Sequence, residues 1–316
     1  MDPWSQVIVA ASARTAPRVV GVTAVDPERT QVALGTGFVL NGRYVLTHSH
    51  IYSPGDRVTV ALRDGQRLEA EMAAADPLYL LAVLRLEREI DFAAPILTPR
   101  EELLPGLLVL ALGCPYQAEF SLSSGTISTP DRTIYRPERF PVDGLIVTDA
   151  AVHLGNIGGP LIDLEGRLAG INGTPMAGGL SLAVQAEVVM RLVQQMLEHG
   201  RATHPWLGFR GQPETVPPAM ATLLQLPVQE GVAVTDVVDG GPGDRAGVQP
   251  LDLVVAMDGH PVTSLGAIRR TLAEHRPGES CALTVLRAGD LQELPMPVEE
   301  MPRLAATPWG DSGGSG

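Results

Sequence analysis

Apolar residues in this chain fall mainly in short runs rich in Val, Ile and Leu, separated by Gly, Pro, Asn and Asp. That pattern predicts many short strands rather than long helices. Val19–Val25 reads as the first strand. Gly35–Leu40 and Tyr44–Thr47 flank Asn41-Gly42, a pair that tolerates the backbone of a tight turn, and predict a hairpin. Arg57–Leu62 and Arg67–Met72 flank Asp64-Gly65 in the same way. Gly106–Pro115 reads as a buried strand closing in a turn, Thr129–Pro141 as a polar surface loop, and Gly144–Asp149 as a strand re-entering the sheet.

A different period marks a few helices. Residues 5–17 carry few helix breakers and predict a short helix. Within Val184–His199, the residues Val188, Val189, Leu192, Val193, Met196 and Leu197 recur on one helical face, and Gly200 suits the C-terminal cap. Pro217–Leu224 and Ser264–His275 read as shorter helices, the first with prolines at its start and the second with Ser264 as N-cap. Cys281–Arg287 and Glu293–Val298 close the pattern as strands. His204-Pro205 is the link, dividing the chain into residues 1–203, residues 204–300 and a tail at 301–316. The tail is expected to be disordered, and Gly313–Gly316 resembles an engineered linker.

Composition narrows the function classes. A chain of 316 residues has room for two domains, and 45% hydrophobic with 19% charged residues is ordinary for a globular protein. A formal net charge of −13 argues against nucleic acid and anionic lipid as partners, since both require a basic face. Cys114 and Cys281 fall on opposite sides of the link, which disfavours a disulfide, and no Cys/His spacing suggests a metal site. No cofactor motif is present. No apolar stretch is long enough to span a bilayer, and Met1–Trp4 lacks the basic and apolar regions of a signal peptide. The location is expected to be extracytoplasmic if an N-terminal signal or anchor has been removed, and cytoplasmic otherwise.

The motifs resemble those of the HtrA (DegP/DegS) family of trypsin-like serine proteases with a PDZ domain. Thr148-Asp149-Ala150-Ala151-Val152-His153-Leu154-Gly155-Asn156-Ile157-Gly158-Gly159-Pro160-Leu161 resembles T-D-A-A-x-x-x-G-N-S-G-G-P-L. Gly35-Thr36-Gly37-Phe38 through Thr47-His48-Ser49-His50 resembles the segment that ends in the family's histidine. Asp76–Leu84 resembles D-x-x-x-D-L-A-V-L. Trp206-Leu207-Gly208-Phe209 resembles the opening of a PDZ domain, and Gly231–Val248 with Leu251–Val262 resembles its central strands. The resemblance implies an all-β dominated fold: two six-stranded β-barrels, then an α+β PDZ domain.

By the same resemblance, the triad positions are His50 for the base, Leu80 for the acid and Ile157 for the nucleophile. Hydrocarbon at two of three positions removes the family's serine chemistry. The backbone amides at Gly155 and Ile157 are what would remain of the oxyanion hole. Asp76 matches the non-catalytic aspartate of its motif. The expectation is therefore a catalytically inactive protein, not an enzyme. It would bind polypeptide C-termini or a protein partner as a scaffold or subunit, in a homotrimer or a larger assembly. The PDZ groove is expected at Trp206, Leu207, Gly208 and Phe209, with Ile268 and Leu272 on its helical wall. The alternative is an active endopeptidase, of serine type or otherwise unconventional, in protein quality control.

Overall fold

A computed structural model describes residues 1–26, 32–115, 119–135, 141–224, 226 and 229–302. The tail expected beyond residue 302 lies outside the described residues. Two compact units emerge, one from Met1–Arg132 and Val142–Ala202, the other from Thr133–Pro141 and Thr203–Arg303.

The first unit opens with helix α1 (Pro3–Thr15). Asp2 caps it by accepting a hydrogen bond from the Ser5 amide at 3.0 Å, and Pro3 occupies the first turn, where a missing N–H costs nothing. Strands β1 (Val19–Val25), β2 (Val32–Val39), β3 (Tyr44–His48), β4 (Arg57–Ala61), β5 (Arg67–Asp76) and β6 (Leu81–Leu86) close into an antiparallel barrel in the order β1-β2-β3-β6-β5-β4. Asn41 makes the β2–β3 turn as its Oδ1 accepts from the amides of Arg43 and Tyr44. Alternate residues point inward, so Val20, Val22, Val45, Val58, Val60 and Leu84 fill the interior.

Strands β7 (Leu108–Gly113), β8 (Ser121–Tyr135), β9 (Pro141–Thr148), β10 (Pro160–Ile162), β11 (Leu168–Pro175) and β12 (Ser181–Gln185) close the second barrel, in the order β10-β11-β12-β9-β8-β7. The polar stretch from Thr129 to Tyr135, expected as a loop, is instead the end of β8. Its residues are nearly all half-buried without alternation, so the polar pattern that predicted a loop carried no strand period to read. Helix α2 (Ala186–His199) follows, with Gly200 at φ 73° as its left-handed cap.

The second unit holds β13 (Pro205–Trp206), β14 (Phe209–Thr215), α3 (Pro218–Leu223), β15 (Glu230–Val237), α4 (Pro242–Arg245), β16 (Leu253–Met257), β17 (His260–Pro261), α5 (Leu265–Leu272), β18 (Ser280–Arg287), β19 (Asp290–Pro297) and β20 (Glu299–Glu300). Its main sheet runs β14-β15-β16-β18-β19, which leaves β14 as a terminal strand. Ser264 caps α5 by accepting from the Ala267 amide. Ile268 and Leu272, one turn apart on α5, sit in the unit's core with Val232, Val234 and Leu283.

Leu251 lies at φ +75°, a left-handed backbone that favours glycine, with 89% of its surface exposed. A left-handed backbone costs an L-residue about 1–2 kcal/mol, and so exposed a side chain returns little in packing. Leu251→Gly is expected to stabilise this unit by about 1 kcal/mol, raising its melting temperature by roughly 4–8 °C. Thermal unfolding followed by circular dichroism measures it, and a lower midpoint would refute the strain argument.

Candidate active site and peptide groove

His48 ends β3 opposite Leu81 of β6, and the chain then turns through Ser49, His50 and Ile51. The Ser49 amide donates to the Leu80 carbonyl at 2.8 Å, so what residue 80 offers this turn is its backbone. Leu80 sits at φ +56°, a conformation that Asp or Asn adopts more readily than Leu. Its side chain has no atom that can accept a proton or a hydrogen bond. Asp76 is buried, and its Oδ1 accepts from the Leu78 amide at 3.0 Å, shaping the turn between β5 and β6.

His50 is exposed, while His48 is buried beneath it. Their Nδ1 atoms lie 2.6 Å apart, the rings meet edge-on, and the His50 amide points to His48 Nδ1 at 3.4 Å. Burial, helped by any charge on His50, pushes the His48 imidazole down to about 3; loss of hydration lowers His50 as well. His153, by contrast, is exposed at the start of the next loop.

That loop runs Leu154-Gly155-Asn156-Ile157-Gly158-Gly159. Gly158 has φ +86°, and a Cβ there would lie 2.5 Å from the Thr36 carbonyl oxygen and 2.9 Å from the His48 nitrogen, so only glycine fits. Thr36 Oγ1 donates to the Gly155 carbonyl at 2.6 Å while accepting from the Cys114 amide at 2.8 Å. Asn172 Nδ2 reaches the carbonyls of Leu112, Asn156 and Pro160 at 3.1, 3.4 and 3.2 Å. The Ile157 amide, one of the two assigned to the oxyanion hole, turns back to the Leu154 carbonyl at 3.4 Å. The Ile157 side chain is 3% exposed and packs in the second barrel's core among Val109, Ile127, Leu161 and Ala183. Residue 157 thus serves as a core residue here.

Sequence reasoning passed over Thr36 and Asn172. Both sit inside quoted motifs, Gly35-Thr36-Gly37 and Gly170-Ile171-Asn172, but their polar atoms find partners only when the two barrels close. Both cysteine thiols are free and buried; burial pushes Cys114 up, and burial with Asp258 takes Cys281 to about 11, which leaves neither a ready nucleophile.

In the second unit, Gly208 lies at φ +75° against Pro242, and its carbonyl accepts from the Val238 amide at 2.8 Å. Phe209 begins β14 opposite Val237 and is half-buried against the core. Trp206 pairs with Glu299 across β13 and β20 and is buried, and Leu207 joins the core cluster. Of the six residues expected at the groove, Trp206, Leu207, Ile268 and Leu272 are mostly covered by the unit's own packing. Gly208 and Phe209 are where the chain turns into the terminal strand, which α5 packs against.

The His48 position carries a pH dependence. Unfolded, its imidazole takes a proton below about 6.5; folded, it resists one until about 3. Stability is therefore expected to fall as pH drops below about 6.5, with a slope approaching 1.4 kcal/mol per pH unit from this group. Urea midpoints at pH 7, 6 and 5 should show that slope in the native chain and a shallower one in His48→Asn. Identical slopes would remove His48 as its source.

Comparison with known proteins agrees with this geometry. The trypsin-like peptidase domain family matches residues 35–171 and the PDZ domain family matches residues 205–298. A probable periplasmic serine endoprotease, DegP-like, of Chlamydia trachomatis serovar D is 32% identical over 284 residues, 87% of this chain and 56% of the relative. A similarly named protein of Brucella suis biovar 1 is 34% identical over 278 residues, 86% of this chain and 53% of the relative. The chain spans about half the length of these curated relatives. The HtrA-type protease AlgW, solved with a tripeptide, superposes with a TM-score of 0.72 at 29% identity, covering 94% of this chain and 98% of that one.

These relatives overturn the expectation of a non-enzyme, because proteins similar over most of this chain are named serine endoproteases and point to a protease. That expectation stood on the side chains at 80 and 157. They show which groups cannot carry the reaction, and are silent on what others on the same frame can do. In fold and domain order the chain is HtrA/DegP-like, a trypsin-like peptidase domain of two β-barrels followed by a C-terminal PDZ domain.

Proposed function

We propose that this chain recognises the free ends of polypeptides through its PDZ unit, as the substrate-handling part of an HtrA-type protein. The observation that carries the reading is the terminal position of β14, entered through the left-handed Gly208 and backed by α5. A terminal strand can accept an extended peptide through main-chain hydrogen bonds, and the preceding turn is where backbone amides meet a terminal carboxylate. Gly208 and Phe209 are the residues assigned to that contact, with Ile268 and Leu272 supporting the wall from beneath. The working division is residues 1–203 for the peptidase fold and 204–300 for the PDZ domain.

The second reading is endopeptidase activity, favoured by the names of the relatives. Leu80 and Ile157 supply neither acid nor nucleophile, so hydrolysis on this frame draws on other groups, with exposed His50 assigned as the base. An extracytoplasmic location is part of the proposal, supported by the relatives' description as periplasmic. So is self-association into a homotrimer; exposed Trp4 and Val7, one turn apart on α1, offer an apolar patch for it.

Two measurements on the full chain separate the readings. A labelled decapeptide ending in a free, apolar C-terminal residue is expected to bind at least about tenfold more tightly than its C-terminal amide, the equivalent of about 1.4 kcal/mol. Equal affinities would sink carboxylate recognition. Incubation with unfolded casein tests the second reading: cleavage abolished by His50→Ala supports it, and intact casein rejects it while leaving peptide binding standing.

A further inference from the structure

We infer that His48 is a positioning residue, which takes the place of a carboxylate at residue 80 and holds His50 with its proton on Nδ1 and a free lone pair on Nε2. The geometry requires one proton between the two Nδ1 atoms. At 2.6 Å two lone pairs would repel, and two N–H groups would collide. Which ring holds that proton follows from a second contact. The backbone N–H of His50 also points at His48 Nδ1, at 3.4 Å. A nitrogen approached by that donor has to present its lone pair, so the shared proton belongs to His50. His48 then carries its own proton on Nε2 and stays neutral, in keeping with its burial.

The consequence is a fixed tautomer. A histidine that acts as a base through Nε2 must carry its proton on Nδ1, and a neighbour that accepts from Nδ1 sets that choice. Leu80 cannot accept, and its backbone carbonyl is already engaged by Ser49. His48 takes the accepting role from the end of β3, two residues before His50 in the chain. The substitute differs from a carboxylate in one respect. A neutral imidazole orients His50 but does not stabilise its charged form, so the pair makes an oriented yet weak base. No sequence pattern of the acid motif around Leu80 contains this partner, because the acceptor has moved to the other side of the β3–β6 pairing.

Long-range proton–nitrogen correlation NMR on the full chain, labelled with nitrogen-15 histidine, tests the inference. The signals of His50 are identified by their loss in His50→Gln. At pH 7, His50 Nε2 is expected to resonate as an unprotonated nitrogen and Nδ1 as a protonated one. His48→Leu, which removes the acceptor at similar volume, should shift the tautomer ratio by about tenfold toward Nε2–H, as expected for one lost hydrogen bond of about 1.4 kcal/mol. His48→Asn, which keeps an acceptor, should preserve the native ratio. A native His50 protonated on Nε2 overturns the inference without recourse to any variant, as does a ratio unchanged in His48→Leu. The use of His50 as a base rests on the endopeptidase reading, but its tautomer does not. Intact casein with the expected tautomer rejects that reading alone, and a reversed tautomer rejects the His48 role whatever happens to casein.

Discussion

The peptidase unit depends on how the loop at residues 154–159 is sewn between its barrels. Thr36, from the first barrel, binds the Gly155 carbonyl and the Cys114 amide at once. Asn172, from the second, gathers three carbonyls with one amide group. Gly158 lets the loop come within touching distance of Thr36 and His48. Each of these polar groups is buried, where an unmade hydrogen bond costs about 1–3 kcal/mol, so the loop has little freedom to relax in place. The glycine and asparagine frame is therefore explained by backbone geometry alone, whatever side chain stands at residue 157.

That independence is why Ile157 is tolerated. Its side chain adds to the core of the second barrel, and its amide closes a local turn on Leu154. Leu80 is a different case. It keeps a left-handed backbone that suits Asp, and its carbonyl still anchors Ser49. The scaffold around both positions holds its shape through main-chain contacts. A likeness to endoproteases that spans some 280 residues is thus compatible with altered chemistry at two side chains.

The second unit shows a related separation. Its recognisable residues, Trp206, Leu207, Ile268 and Leu272, build the core that holds β14 and α5 in place. Under the proposed peptide recognition, the surface offered is mainly the backbone of β14, entered through Gly208. A groove made of main-chain groups accepts many sequences, and the side chains that are easiest to read act on it from behind.

Much of this protein was legible in the sequence because its signals are local. Val19–Val25, the Asn41-Gly42 turn, the α2 stripe and the Ser264 cap each depend on residues close along the chain, while the two barrels and the PDZ unit were implied by the resemblance of the motifs. The identities of residues 50, 80 and 157 were equally plain. Three matters waited for the tertiary structure. Thr129–Tyr135 proved to be the end of β8, which stands between β7 and β9 in the barrel, a placement its polar residues do not signal. Ile157 was directed into the barrel core, a choice set by loop geometry. The short contact between His48 and His50 arose from the turn that ends β3, which brings two side chains from nearby positions face to edge. Sequence settles which atoms are available; only the closed barrel settles which of them meet.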